Sequence, residues 1–105
     1  MSEDTVATFN KNGYLTEKTL RRIRKWDTEK DMRGFLALVK DAWNCDFGTF
    51  SEDADPDEPE KTRLILVSGG WSGNEDVAAA MMGNNSFWSR HWRSFARGGR
   101  YVFLV

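Results

Sequence analysis

Leu64-Ile65-Leu66-Val67-Ser68-Gly69-Gly70-Trp71-Ser72-Gly73-Asn74-Glu75 is the stretch on which the fold turns. Four consecutive large apolar residues, with no polar residue alternating between them, predict a central strand covered on both faces. The glycine pair ends that strand, because glycine adopts backbone conformations that a side chain forbids. Ser72-x-x-Glu75 has the spacing of a capping box, in which the Ser hydroxyl takes the Glu amide and the carboxylate reaches back to the Ser amide. A helix is therefore expected over 73–82, through Val77-Ala78-Ala79-Ala80, with Gly83 just past its end.

Downstream, Asn84-Asn85-Ser86 reads as a turn that caps a second helix over 87–96. At about 100° per residue, Trp88, Trp92 and Phe95 fall in one narrow arc, and Arg90, Arg93 and Arg97 cluster opposite. The aromatic arc should face the core and the arginine stripe the solvent or a partner. Gly98-Gly99 is a second glycine turn, followed by Arg100 and a strand over 101–105 that is again apolar on both faces. Two helices reverse the chain twice, so the two strands should be antiparallel neighbours. Both glycine pairs then lie at one edge of the sheet, with Trp71, Ser72, Arg97 and Arg100 near them.

Upstream, residues 1–12 lack a clear period and read as a loose arm closed by the Asn12-Gly13 turn. Thr16 is a suitable N-cap for a helix over 17–26 with a narrow stripe of Leu20, Ile23 and Trp26. Lys18, Arg21, Arg22, Arg24 and Lys25 make its other faces basic, which suits either solvent or phosphate. Met32, Phe35, Leu36, Val39 and Trp43 give the clearest helical period in the chain, over 28–43. Gly34, inside that helix, leaves room for a close approach by a neighbour. Phe47-Gly48-Thr49-Phe50 is a short edge strand, and residues 51–60 (SEDADPDEPE) form an acidic loop. Asp53, Asp55 and Asp57 have the spacing that opens a calcium loop. Glu58 stands where glycine is needed and Leu64 where the bidentate Glu should be, so no metal is expected. The expected fold is α+β in a single domain over 1–105. It has two N-terminal helices and a small antiparallel sheet of two to three strands, with a helical pair inserted between the last two.

The chain has 105 residues, and its net charge of −1 is unevenly laid out. Residues 46–60 carry seven acidic and no basic side chains, whereas residues 61–105 carry six basic and two acidic. Five Trp and seven Phe supply the area that a small core needs, or an exposed binding face. Cys45 is the only cysteine, which excludes an intrachain disulfide and fits a reducing compartment. It reads as a buried structural thiol, since catalysis would require the sole histidine, His91, as its base. No apolar run approaches the roughly 18 residues of a membrane span. The expected location is the cytoplasm, with no membrane partner.

The N-terminus of the helix after Gly69-Gly70 could hold an anion, helped by Arg97 or Arg100. Glu75 and Asp76 place negative charge where the anion would sit, and the capping box consumes the free amides. There is no dinucleotide fingerprint and no P-loop lysine. Ser72 is not in a nucleophile elbow, which would require glycine at Asn74. Hence no enzyme activity, catalytic residue or cofactor is expected, and the alternative is a ligand site or small enzyme at the 69–75 turn. Arg90, Arg93, Arg97 and Arg100 with nearby aromatics suit an acidic protein surface or a nucleic acid.

The combined pattern of Gly69-Gly70-Trp71-Ser72-Gly73-Asn74-Glu75, then Asn85, Phe87 and Trp88, Trp92, and Arg97-Gly98-Gly99-x-Tyr101-x-Phe103 resembles a family of small uncharacterised proteins of tailed bacteriophages and prophages. The likeness covers residues 64–103. Relatives often carry histidine where this chain has Arg100. The resemblance implies a phage setting, in an infected or lysogenic bacterial host, and a soluble accessory protein without an assigned activity. The resulting expectation is a non-enzymatic phage accessory protein that binds a macromolecule, a phage or host protein before a nucleic acid, in the manner of an inhibitor of host or defence machinery. The oligomeric state is not legible.

Overall fold

The computed structural model describes residues 5–105. These form an α+β fold of four helices and a four-stranded antiparallel sheet. In chain order the elements are α1 (Glu17–Lys25), α2 (Met32–Ala42), β1 (Thr49–Ala54), β2 (Thr62–Val67), α3 (Ser72–Gly83), α4 (Asn85–His91), β3 (Trp92–Ala96) and β4 (Arg100–Leu104). The sheet order is β1-β2-β4-β3.

Both N-terminal helices begin at side-chain caps. Thr16 accepts the Thr19 amide for α1, and Asp31 accepts the Gly34 amide for α2. The second helix thus starts later than expected, because the Asp27 carboxylate turns the chain first by accepting the Glu29 and Lys30 amides. Phe35, Val39 and Trp43 of its stripe are buried together with Leu38 and Ala42, while Met32 and Leu36 pack at the margin. Gly34 allows the expected close approach, by the Trp26 ring and the Asp31 carboxylate.

The neighbouring strands β2 and β4 are antiparallel, from Arg63 opposite Leu104 to Val67 opposite Arg100. The Ser68 amide donates to the Gly99 carbonyl at 3.0 Å, so the two glycine pairs do meet at one end of the sheet. Gly69 and Gly99 both have positive φ, 65° and 73°. A Cβ on Gly69 would run into the Phe47 carbonyl, and one on Gly99 into the Ser68 hydroxyl.

Four expectations about the extent of the elements are corrected. The sheet has four strands, not two or three. Residues 51–54 of the expected 51–60 loop belong to β1, where pairing with β2 satisfies the backbone and Asp53 stands opposite Arg63. The turn that remains is closed by Asp55, whose carboxylate accepts the Asp57 and Glu58 amides. The last helix stops at His91, and residues 92–96 are strand β3. Gly83 is the last residue of α3 rather than a left-handed residue beyond it, because Asn84 ends α3 and caps α4 at once.

The helices cover one face of the sheet. Leu64, Leu66 and Phe103 point into a core with Ile23, Phe35, Leu38, Val77, Met81 and Phe87. On the other face Ile65, Val67 and Val102 stay half-exposed, so the expected two-sided cover is absent. Two buried asparagines fasten the elements. Asn84 donates to the carbonyls of Ile23 and Trp26 and accepts the Phe87 amide. Asn74 accepts the Asn44 amide at 2.7 Å and donates to the carbonyls of Asn44 and Ser68.

The described part of the N-terminal arm is tied down rather than loose. The Ala7 amide donates to Asp41 at 2.7 Å, and Thr8 bonds the hydroxyls of Thr16 and Thr19. Residues 1–4 lie outside the described range. Cys45 is exposed, not buried, because Asn44 and Asp46 hold it in a polar turn outside the core.

Candidate functional site

At the glycine end of the sheet, Trp71 lies in a three-ring stack, 5.0 Å from Tyr14 on one side and 5.0 Å from Phe47 on the other. The stack brings the Tyr14 phenol to Ser72, whose hydroxyl donates to it at 3.0 Å. The Ser72 side chain is therefore not a helix cap. Trp71 is the N-cap residue of α3 and makes no side-chain cap bond. Glu75 instead accepts the Ser68 hydroxyl at 3.3 Å, so the expected reciprocal capping box does not form. Ser68 also accepts the Gly70 amide, which knits the glycine turn to the start of α3. Trp71 and Ser72 thus hold the turn together, the Trp71 ring by stacking and the Ser72 hydroxyl by its bond to Tyr14.

The arginines do not form a helical stripe. Arg90 is on α4 and pairs with Glu29 at 2.6 Å. Arg93 lies in β3, Arg97 follows it in the turn, and Arg100 opens β4. By register Arg100 stands beside Val67, at the glycine end with Arg97, while Arg93 is near the other end. There Arg93 shares a groove of about 280 Å³ on the open face with Arg63, Val102, Leu104 and the carboxylates of Asp55, Asp57 and Glu58.

What the structure gathers instead is an aromatic ledge. Between Trp92 and Ser94 the register of β3 against β4 shifts by one residue. Arg93 and Ser94 together face Val102, so Trp92 and Phe95 emerge on the same face of the sheet. In a regular strand, residues three apart would point to opposite faces. The bulge gives a strand the three-residue aromatic spacing of a helix, which is why the segment reads as one.

Trp92 stacks on Trp88 of α4 at 6.1 Å, and Phe95 packs on Tyr101 of β4 at 5.0 Å. Trp88 in turn meets Tyr101 and Phe103 edge-on, which anchors the ledge to the core. The helices do not extend over β3, leaving Trp92 39% and Phe95 56% exposed. Every residue of β3 is exposed, and among the described residues no strand pairs with its outer edge. From Val77 to Val105 there is no acidic residue, but Arg90 is paired with Glu29, and Arg93 and Arg100 lie toward the open face, behind the ledge.

The Tyr101 phenol is held above its ordinary pKa of 10.0, first by burial and second by the charge of Glu75. Ionisation is therefore easier in the unfolded chain. The associated stability is complete below about pH 10 and declines as the pH rises through the higher folded-state value. Glu75→Gln removes the smaller cause, so its alkaline unfolding curve should diverge less from that of a protein lacking the Tyr101 phenol. Superimposable alkaline curves for Glu75→Gln and the parent would remove Glu75 from the account.

No group of His, Cys, Asp and Glu among the described residues could hold a metal ion. No helix among them is long and apolar enough to cross a membrane. The chain matches no protein-family model, no curated protein and no solved structure.

Proposed function

We propose that this is a non-enzymatic binding protein whose β3 ledge docks on an acidic surface of a partner protein. The supporting observation is the pairing of two exposed large aromatics, Trp92 and Phe95, on an unpaired edge strand inside a segment with four arginines and no acid. Aromatic and arginine side chains are the types that concentrate binding energy at interfaces. The open edge offers main-chain groups to an added strand, and the arginines oppose pairing of β3 with its own copy, since like charges would face each other. A role as a phage accessory protein that inhibits host or defence machinery fits a small protein with one such face.

The test is affinity capture from phage-infected cells, with nuclease treatment, using the parent chain and a Trp92→Ser/Phe95→Ser variant. The parent should retain a defined protein that the variant loses. With that protein purified, each single substitution should weaken binding about 30-fold. Both side chains are exposed, so the melting temperature should fall by only a few degrees. Equal capture by parent and variant would overturn the proposal.

A further inference from the structure

A second surface, on the other side of the sequence, has the chemistry of a nucleic-acid backbone site. On α1, Lys18, Arg21, Arg22 and Lys25 are spaced i, i+3, i+4 and i+7. They fall within an arc of about 100°, opposite the buried Thr19 and Ile23. Lys18, Arg21 and Lys25 are exposed and make no ion pair with another described residue, whereas Arg22 donates to the Val6 carbonyl. The acids of the same segment are engaged elsewhere. Glu17 pairs with Arg24 on the flank of the helix, and Glu29 pairs with Arg90. Asp27 and Asp31 turn their carboxylates to backbone amides.

This cationic face lies along two adjoining grooves. One, of about 470 Å³, is lined by Glu17, Lys18, Arg21, Arg22 and Lys25. The other, of about 410 Å³, is lined by Arg22, Lys25, Trp26, Asp27, Lys30 and Asp31. Arg22 and Lys25 belong to both, so the grooves are continuous. Trp26 is half-buried against Gly34 and fixed by its indole N–H to the Asp31 carbonyl at 2.8 Å, which presents a rigid ring in the second groove. Lys18 to Lys25 span about 10 Å of helix, with the carboxylate of Glu17, paired to Arg24, at one end of the grooves and those of Asp27 and Asp31 at the Trp26 end. Phosphates are thus favoured along Lys18–Lys25, and a neutral base beside Trp26.

We propose that the α1 face binds single-stranded nucleic acid, with its phosphates on Lys18, Arg21 and Lys25 and an unpaired base against Trp26. Exposed bases stack on aromatic rings, and cations track the backbone, in sequence-tolerant sites of this kind. Double-stranded nucleic acid hides its base faces and would use the cations alone.

The test is fluorescence anisotropy with a labelled 20-nucleotide single strand of mixed sequence and the whole chain, between about 50 and 200 mM salt. Binding should weaken with a log–log slope of about −2, matching about three phosphates. Lys18→Glu/Arg21→Glu/Lys25→Glu should lower affinity at least 100-fold at the lowest salt without changing the melting temperature. An abasic strand of the same length should bind about 10-fold more weakly. Arg93→Glu/Arg97→Glu/Arg100→Glu should leave affinity within a few-fold. The proposal is overturned by absence of binding at the lowest salt, by equal binding of polyglutamate, or by loss of binding in the hairpin variant in place of the α1 variant.

Discussion

A chain lacking residues 103–105 is expected not to fold. Phe103 is fully buried, touches Phe87 at 5.2 Å and Trp88 at 5.4 Å, and stands opposite Leu64 in the sheet. Removing one such ring costs about 3–5 kcal/mol. The loss does not end there. Leu104 is nearly buried, its carbonyl lies 2.8 Å from Nδ1 of His91, and Val105 exchanges two backbone hydrogen bonds with Thr62. Removal would leave half of β2, a central strand, without its partner. The combined loss is comparable to the whole stability of a small domain, about 5–15 kcal/mol. Circular dichroism should show no cooperative melting transition. Phe103→Ala separates the terms, because it keeps the strand and should still fold, with a clearly lowered transition. A truncated chain that melted like its parent would show that β4 ends functionally at Val102.

Asn74→Ala should destabilise the fold by about 3 kcal/mol, or some 10–20 °C in melting temperature. Asn74 is fully buried and uses both ends of its amide. Its oxygen takes the Asn44 amide, and its nitrogen serves two carbonyls, those of Asn44 and Ser68. It joins the turn after α2 to the end of β2 and the first turn of α3. Alanine would leave all three backbone groups without this partner. Asn74→Asp keeps the acceptor but turns a second oxygen toward two carbonyls, so it should be at least as damaging near neutral pH. Ala79→Ser, on the exposed side of the same helix, is the control and should change little. If Asn74→Ala melted within a few degrees of the parent, the amide would be dispensable and the turn would be held by Gly48 and Gly69 alone.

Much of the scaffold is legible in the chain. The stripe of α2, the antiparallel neighbours β2 and β4, the Asn84 cap and the meeting of the two glycine turns all follow from spacing and reversal arithmetic. The parts that escape have definable causes. A bulge gives β3 a helical period, so local pattern and tertiary pairing disagree there. Acidic residues favour solvent, yet Ser51–Ala54 gain enough from pairing with β2 to form an edge strand that charge keeps from pairing further. Ser72 and Glu75 have the right spacing for a capping box, but Tyr14 and Ser68 offer them other partners, and Tyr14 is far away in sequence. Asn74 carries no local signal of its role, because only the fold brings Asn44 to it. The aromatic ledge was hidden for the same reason as β3: Trp92 and Phe95, read on a helix, belong to the core. The arginines were legible as a group, though not their distribution over α4, β3 and the following turn.

The strand order β1-β2-β4-β3 sets acidic β1 and arginine-bearing β3 at opposite edges of the sheet. Glu52 and Asp53 stand in β1 at one edge of the sheet and Arg93 in β3 at the other, three strand spacings away, or about 14 Å. Antiparallel backbone dipoles largely cancel, so this separation comes from side chains. A charged partner at a distance comparable with the screening length feels a torque before it feels contact. An acidic partner would meet β3 already turned toward it, and a basic one would be turned toward β1.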